Sequence, residues 1–177
     1  MKRFILSISI LISISFQLFP ENITIASFNT LRLGNNVKDY RTLSKIVSKF
    51  DLIGLEEVMN EKGLKKLRAV LNSTTKSEWE YIISEKAVGS KGYKEYYAFI
   101  YKKEKFQYVK SLQNFKEINQ NMFIREPFAA RFKSNNFDFI YIICHSIFGE
   151  TEKNRIIEAS SYEKVYNYYS NLLPEED

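Results

Sequence analysis

The chain has 177 residues, a formal net charge of +5 at pH 7 and 45% apolar residues, including 14 Phe and 12 Tyr. This length suits one domain with a buried core, and the composition excludes an intrinsically disordered chain. The single cysteine, Cys144, excludes a disulfide framework within one molecule. The positive balance is compatible with a polyanionic substrate but does not require one.

Residues 1–21 have the features of an export signal. Lys2 and Arg3 precede the uncharged stretch 4–19, which is rich in Ile, Leu and Ser and is followed by Pro20. The stretch is shorter than the roughly 20 residues that a membrane-spanning helix needs. We expect a periplasmic or secreted protein. Because no small-x-small pattern precedes the proline, an uncleaved N-terminal anchor is the alternative.

The next part of the chain alternates short apolar runs with helical periodicity. The pattern predicts a strand over 23–28 that ends at Asn29, and an amphipathic helix over 38–49. A second strand follows over 51–58, and Asn60 is a suitable N-cap for a second helix. The inner face of that helix is predicted to hold Leu64, Leu67 and Leu71.

The middle of the chain is predicted to consist mostly of strands. Strand-like runs occur over 79–83, 96–101 and 106–109, and 87–92 has the Gly, Ser and Lys content of a loop. Residues 112–121 are polar and fit no single element.

A hairpin and a helix are predicted in the last third of the chain. Strand-like runs over 128–132 and 137–144 flank Asn135 and Asn136, and asparagine tolerates the positive φ that a tight hairpin needs. A helix is expected to begin at 149–151. Its apolar and aromatic face is predicted to hold Ala159, Tyr162, Tyr166, Tyr169 and Leu173.

This mixture of helices, hairpins and buried strands predicts an α/β or α+β layered fold. Several polar residues lie where apolar strands begin or end, as an active site at a sheet edge requires. They are Asn29, Glu57, Glu95, Arg125 and the only histidine, His145.

The acids at the end of the second strand, Glu56 and Glu57, are the centre of this pattern. Because side chains alternate along a strand, the two carboxylates should face opposite ways. A carboxylate at the end of a buried strand is a hard oxygen ligand, suited to Mg²⁺ or Ca²⁺.

Taken singly, each of these residues also has a purely structural explanation. The two acids could be solvated charges at a strand end, and Asn29 could satisfy turn backbone groups. Glu95 could pair with a surface lysine, and Arg125 with its neighbour Glu126. His145 alone could be a strand-end histidine with satisfied hydrogen bonds.

In combination, these segments resemble the endonuclease/exonuclease/phosphatase superfamily, most closely its deoxyribonuclease I-like members. The resemblance implies a two-sheet sandwich flanked by helices, the four-layer DNase I-like fold. It extends from about residue 23 to at least residue 155. The matching segments are Ala26-Ser27-Phe28-Asn29, the stretch from Asp51 to Val58, Tyr93-Lys94-Glu95-x-Tyr97-x-Phe99, Arg125-Glu126-Pro127 and Cys144-His145-Ser146.

The resemblance implies a divalent-metal-dependent phosphodiester hydrolase that acts on DNA rather than RNA. Glu57 would bind the catalytic cation, Mg²⁺ or else Ca²⁺ or Mn²⁺, and Asn29 would support the metal and substrate-binding site. Arg125 would bind phosphate through its planar guanidinium. His145 would act beside the scissile phosphate as a general acid/base or charge stabiliser, and Glu95 would fix its tautomer. No small-molecule cofactor is implied.

The sequence also departs from the family pattern. The family's second half supplies an Asp-x-Asn strand end and a late Asp-His pair, and neither occurs here after His145. Residues 22–177 are therefore expected to be the N-terminal portion of such a domain, incomplete at the C-terminus, with weak or absent hydrolysis by this chain alone. One alternative is a non-catalytic remnant or a split half that needs a complementary C-terminal partner chain. Another is a superfamily phosphatase or phospholipid phosphodiesterase.

Overall fold

The structure is a computed structural model that describes residues 22–117, 122–148 and 151–172. Within these ranges, eight strands form two β-sheets, and helices pack on both outer faces. The layers follow one another as helices, sheet, sheet and helix. This arrangement confirms the predicted two-sheet sandwich with flanking helices.

Five strands make up the first sheet. In chain order they are β1 (Ile25–Leu33), β2 (Leu52–Val58), β3 (Trp79–Ile83), β4 (Val88–Ser90) and β5 (Tyr93–Lys102). Their order across the sheet is β1-β2-β5-β3, with β4 also paired to β5. β1 and β2 run parallel, and β5 is antiparallel to its three neighbours.

Two helices pack against one face of this sheet, α1 (Tyr40–Val47) and α2 (Glu61–Thr74). As predicted, Asn60 caps α2, and its side chain accepts a hydrogen bond from the Gly63 amide at 3.1 Å. The predicted inner face of α2 is confirmed, since three leucines on it are fully buried: Leu64, Leu67 and Leu71.

The second sheet consists of β6 (Tyr108–Asn114), β7 (Phe128–Ser134) and β8 (Phe137–Ile143), in that order and antiparallel. The predicted hairpin is confirmed. Asn135 in its turn has a φ of 53°, in the left-handed region that asparagine tolerates.

An aromatic core fills the space between the two sheets. Phe99 of β5 is fully buried, and its ring centroid lies 4.8 Å from that of Tyr141. The rings of Phe128 and Phe132 in β7 are each 5.4 Å from it. Gly54 of β2 permits this close approach, because a Cβ atom there would lie 2.9 Å from the Tyr141 hydroxyl.

Three predicted strand boundaries differ from the structure. β1 does not end at Asn29 but continues through an irregular segment to Leu33. The predicted loop 87–92 contains β4, because Val88 to Ser90 pairs with β5 in a tight hairpin. The strand predicted over 106–109 begins at Tyr108 and extends to Asn114, into the polar stretch that sequence reasoning left unassigned.

The helix α3 (Glu152–Ser170) covers the outer face of the second sheet, and its inward face differs from the predicted one. Tyr169 is buried as expected, but Ala159 and Tyr166 are exposed. Glu158 and Ser161 are buried instead, because each makes a hydrogen bond that satisfies its polar side chain.

Several predictions fall outside the described residues. These include the leader over 1–21, the start of the last helix at 149–150 and the inward position of Leu173. Among the described residues, no helix is both long enough and apolar enough to cross a membrane.

Candidate active site

Glu57 lies at the end of β2, where the strand is irregular. The pairing of β2 with β5 shifts register between Leu55 and Val58, and Glu57 has a φ of 55°. A left-handed conformation is strained for a residue with a side chain, and such strain concentrates at functional sites. Here the bulge redirects the Glu57 side chain at the rim of the sheet.

The two adjacent acids have different partners. Glu57 accepts a hydrogen bond from the Asn29 amide nitrogen at 3.1 Å, whereas Glu56 accepts one from the Ser27 hydroxyl at 3.0 Å. Burial raises the pKa of Glu56 above its ordinary value. Burial also opposes ionisation of Glu57, but the Asn29 hydrogen bond and the nearby His145 outweigh it and lower the pKa of Glu57.

Glu95 is the buried centre of the site. Its side chain is fully buried in β5, and Oε1 lies 2.6 Å from Nδ1 of His145. Oε2 lies 3.3 Å from Nε of Arg125. Burying a carboxylate costs free energy unless it is paired and hydrogen-bonded, and Glu95 finds both partners within the site rather than on the surface. In the part of the chain that the structure describes, Glu95 therefore does not form the ion pair with a surface lysine that the sequence left open as an alternative.

His145 follows β8 and is oriented by two bonds. Its amide donates to the hydroxyl of Tyr97 at 2.9 Å, and its Nδ1 faces Glu95. The hydrogen bond and charge of Glu95 raise the pKa of His145 above its ordinary value, although burial opposes the change. With the Nδ1 proton directed at Glu95, Nε2 carries the lone pair of the neutral ring and is left for another partner.

Glu57, Glu95 and His145 each offer one potential ligand atom, and these atoms lie within 4.8 Å of one another. Residues distant in sequence therefore meet at one rim of the first sheet. The two oxygens of Glu95 already face His145 and Arg125, so Glu57 is the carboxylate with oxygen capacity to spare. One carboxylate with remaining waters fits a magnesium site.

Arg125 lies beside this cluster, in the loop before β7. Its Nε is buried and, among the described residues, makes no well-directed hydrogen bond despite the ion pair with Glu95. The guanidinium carbon also lies 5.7 Å from the centroid of the Tyr93 ring. Among the described residues, Arg125 therefore pairs with Glu95 rather than with its neighbour Glu126.

Two residues of the site were given no role by sequence reasoning, Arg32 and Tyr93. The guanidinium carbon of Arg32 lies 5.1 Å from the Tyr93 centroid, on a segment where Leu31 and Arg32 have φ values of 50° and 66°. Burial and the charges of Glu95 and Glu57 raise the pKa of Tyr93 to about 12. Tyr93 lies in one of the segments that match the superfamily. Arg32 could not be found in this way, because no sequence signal marks the consecutive left-handed residues Leu31 and Arg32.

Two proteins named deoxyribonucleases are similar to this chain in sequence. A deoxyribonuclease of Thioalkalivibrio sp. (strain K90mix) is 32% identical over 157 residues, covering 87% of this chain and 43% of that protein. Deoxyribonuclease-1 of Mus musculus is 31% identical over 119 residues, covering 62% of this chain and 42% of that protein. No protein family profile matches the chain.

The fold has a counterpart among solved structures. An endonuclease/exonuclease/phosphatase family protein from Leptotrichia buccalis C-1013-b superposes with a TM-score of 0.53 at 14% identity, covering 81% of this chain and 63% of that chain. The chain is similar in sequence to these deoxyribonucleases and has the DNase I-like fold of the endonuclease/exonuclease/phosphatase superfamily. It spans less than half the length of the two deoxyribonucleases described above. The comparisons give no support to the complementary partner chain considered from sequence.

Proposed function

We propose that the chain forms part of a divalent-metal-dependent phosphodiesterase that hydrolyses DNA. The observation that carries this proposal is the convergence of Glu57, Glu95 and His145 within 4.8 Å at one sheet rim. The relationship to proteins named deoxyribonucleases supports the choice of reaction and of DNA over RNA. Export, which rests on the leader over residues 1–21, is proposed with it.

Glu57 is the proposed metal ligand, and Asn29 is its neighbour. A Mg²⁺ ion bound there, or Mn²⁺ or Ca²⁺ in its place, would neutralise charge on the phosphate. Asn29 holds one oxygen of Glu57 through its amide nitrogen, while its own Oδ1 accepts from the Leu31 amide at 2.9 Å. Asn29 thus orients the Glu57 carboxylate, and its hydrogen bond is one of the contacts that lower the pKa of Glu57.

His145 and Glu95 form the proposed proton-handling pair. Glu95 holds Nδ1, so Nε2 is free to take a proton from water or, in the charged ring, to donate one to a phosphate oxygen. Arg125 is the proposed phosphate-binding residue, because its guanidinium lies beside the cluster and is held in place by Glu95 and Tyr93. Phosphate binding here is expected to be insensitive to base sequence.

A plasmid-nicking assay tests the proposal. Purified chain is incubated with supercoiled DNA in Mg²⁺, Mn²⁺ or Ca²⁺, or in chelator, alongside Glu57→Ala, His145→Ala and the exposed control Glu163→Ala. We expect slow, cation-dependent nicking, since the chain has one histidine for proton transfer. The two site variants should lower the rate by roughly a hundredfold or more, and the control should not.

Two outcomes would contradict the proposal. Nicking that survives both site substitutions would place the activity elsewhere or in a contaminant. Salt-dependent binding of DNA without cleavage in any of the three cations would support a non-catalytic remnant instead.

A further inference from the structure

Glu158 in α3 is a buried carboxylate to which the proposed reaction gives no role. Its side chain belongs to a residue that is only 4% exposed. Oε1 accepts a hydrogen bond from the Ile147 amide at 2.9 Å and another from the Tyr162 hydroxyl at 3.2 Å. Burying a carboxylate costs free energy unless hydrogen bonds compensate for the lost water. The position of Glu158 between α3 and the segment after His145 therefore suggests a specific role.

The residues that Glu158 holds directly follow His145. The Ser146 hydroxyl lies 2.5 Å from the hydroxyl of Tyr162, which itself bonds to Glu158. Residues 144–148 form no helix or strand, so their backbone lacks the regular bonds of a sheet. Among the described residues, the bond from the Ile147 amide to Glu158 is one of the contacts that fix this segment in space.

Tyr97 holds the other side of the same segment. Its ring is fully buried in β5, and its hydroxyl accepts the His145 amide at 2.9 Å. The backbone at His145 is therefore held from the first sheet, and the backbone two residues later is held from α3. The 2.6 Å contact between Nδ1 of His145 and Glu95 depends on both anchors, because a hydrogen bond that short tolerates little displacement.

α3 also reaches the loop that carries Arg125. The hydroxyl of Tyr169 lies 3.2 Å from the carbonyl oxygen of Pro127 and 2.9 Å from that of Gln113. Two loops that contribute side chains to the site are thus tied to one helix, packed on the outer face of the second sheet. A site built on loops keeps its geometry only if surrounding residues lock those loops.

We propose that Glu158 is a positioning residue for His145: it fixes the backbone after the histidine and so sets the orientation of the imidazole towards Glu95. The expected effect of Glu158 on the rate of hydrolysis rests on the proposed function. Its effect on the orientation of the His145 ring does not. Glu158 touches no reacting atom in this account and acts only through the loop that it holds.

Three variants on α3 separate this role from a general loss of stability. Glu158→Ala removes the acceptor, while Glu158→Gln keeps an oxygen that can accept from Ile147 and Tyr162. Glu163→Ala removes an exposed carboxylate from the same helix and is the matched control. Thermal unfolding of each variant shows whether the fold is retained.

The single histidine makes the readout unambiguous, because any imidazole resonance in an NMR spectrum belongs to His145. At fixed pH and without metal, we expect Glu158→Ala to shift this resonance towards that of a free histidine. It should also raise the exchange rate of the Ile147 amide at least tenfold. Glu158→Gln and Glu163→Ala should leave both signals close to those of the unsubstituted protein.

In the nicking assay, Glu158→Ala should lower kcat by about tenfold to a hundredfold with little change in KM, because displacing a catalytic group by about 1 Å lowers the rate by that much.

A folded Glu158→Ala protein with an unchanged His145 resonance would overturn the inference. If Glu158→Ala does not fold, Glu158→Met, which keeps the length of the side chain but removes the acceptor for the Ile147 amide, replaces it and must shift the resonance; an unchanged signal in that folded variant also overturns the inference. A chain without nuclease activity refutes the proposed function, while the NMR result still decides this one.

Discussion

At the scale of single residues, Glu95 determines how the site holds its protons. Its two oxygens are shared between a histidine and an arginine, and its hydrogen bond is the main reason that the pKa of His145 is raised. A raised pKa of His145 means that the charged form of the imidazole is favoured beside the Glu95 carboxylate. The carboxylate therefore couples the ring's orientation to its charge.

Glu95→Gln keeps the size of the side chain and removes its charge. We expect the pKa of His145 to fall towards its ordinary value of about 6.5 or below, because burial then acts without the opposing carboxylate. The ring should consequently lose its proton at lower pH than in the unsubstituted protein. NMR titration of the single imidazole measures this directly. An unchanged titration in the folded variant would show that Glu95 does not set the charge of the ring.

At the scale of elements, the Asp51 carboxylate links β1, β2 and β5. It lies at the opposite end of the first sheet from the candidate active site. Asp51, just before β2, accepts from the amide and hydroxyl of Thr24 at 2.8 Å each, and its Oδ1 lies 2.8 Å from Nζ of Lys102 at the end of β5. Burial opposes ionisation of Asp51, but these contacts outweigh it and lower its pKa.

Because the folded-state pKa of Asp51 is lowered, its contribution to stability is present above the unfolded value, near pH 4, and is lost as pH falls through the folded value. At pH 7, Asp51→Asn should lower the free energy of unfolding by about 1.5–3 kcal/mol. The difference should shrink below pH 4. Urea unfolding measures both. Glu78→Gln, in the exposed pair with Lys103, should change stability far less, because solvent screens that pair. Equal effects of the two substitutions would contradict this interpretation.

The elements that sequence reasoning predicted well are those with strong local signals. The leucine spacing of α2, its Asn60 cap and the Asn135 turn are fixed by residues within a few positions of each other. β4 was missed because its pairing with β5 depends on a three-residue register, not on apolar alternation. The inward face of α3 was misjudged because Glu158 is buried with its own hydrogen bonds.

The sequence motifs were sufficient to predict which residues belong to the candidate site, but not how those residues are arranged in space. Sequence could propose Glu57, Glu95 and His145 as one group, yet their approach within 4.8 Å depends on the register of β2 and β5 and on the packing of two sheets. The bulge at Glu57 and the left-handed Arg32 have no local signal, since neither residue favours positive φ.

At the scale of the whole molecule, the two sheets are held together by an aromatic core. Phe99 is fully buried and packs against rings from both β7 and β8.

Phe99→Ala should lower the free energy of unfolding by about 3–5 kcal/mol, because it removes a large side chain and leaves a cavity between the sheets. Phe137→Ala, at a 54% exposed position, is the control and should cost much less. Similar losses from both substitutions, measured by urea unfolding, would argue against the sandwich core.

The central claim is that a metal bound at Glu57 lies beside His145. Mn²⁺ broadens NMR signals of nearby nuclei, so titration of the protein with Mn²⁺ should broaden the single imidazole resonance at low metal concentration, as expected for a ligand cluster within 4.8 Å. Glu57→Ala should abolish this broadening, and Glu163→Ala should not. Broadening that persists unchanged without Glu57, or its absence at saturating Mn²⁺, would contradict the account.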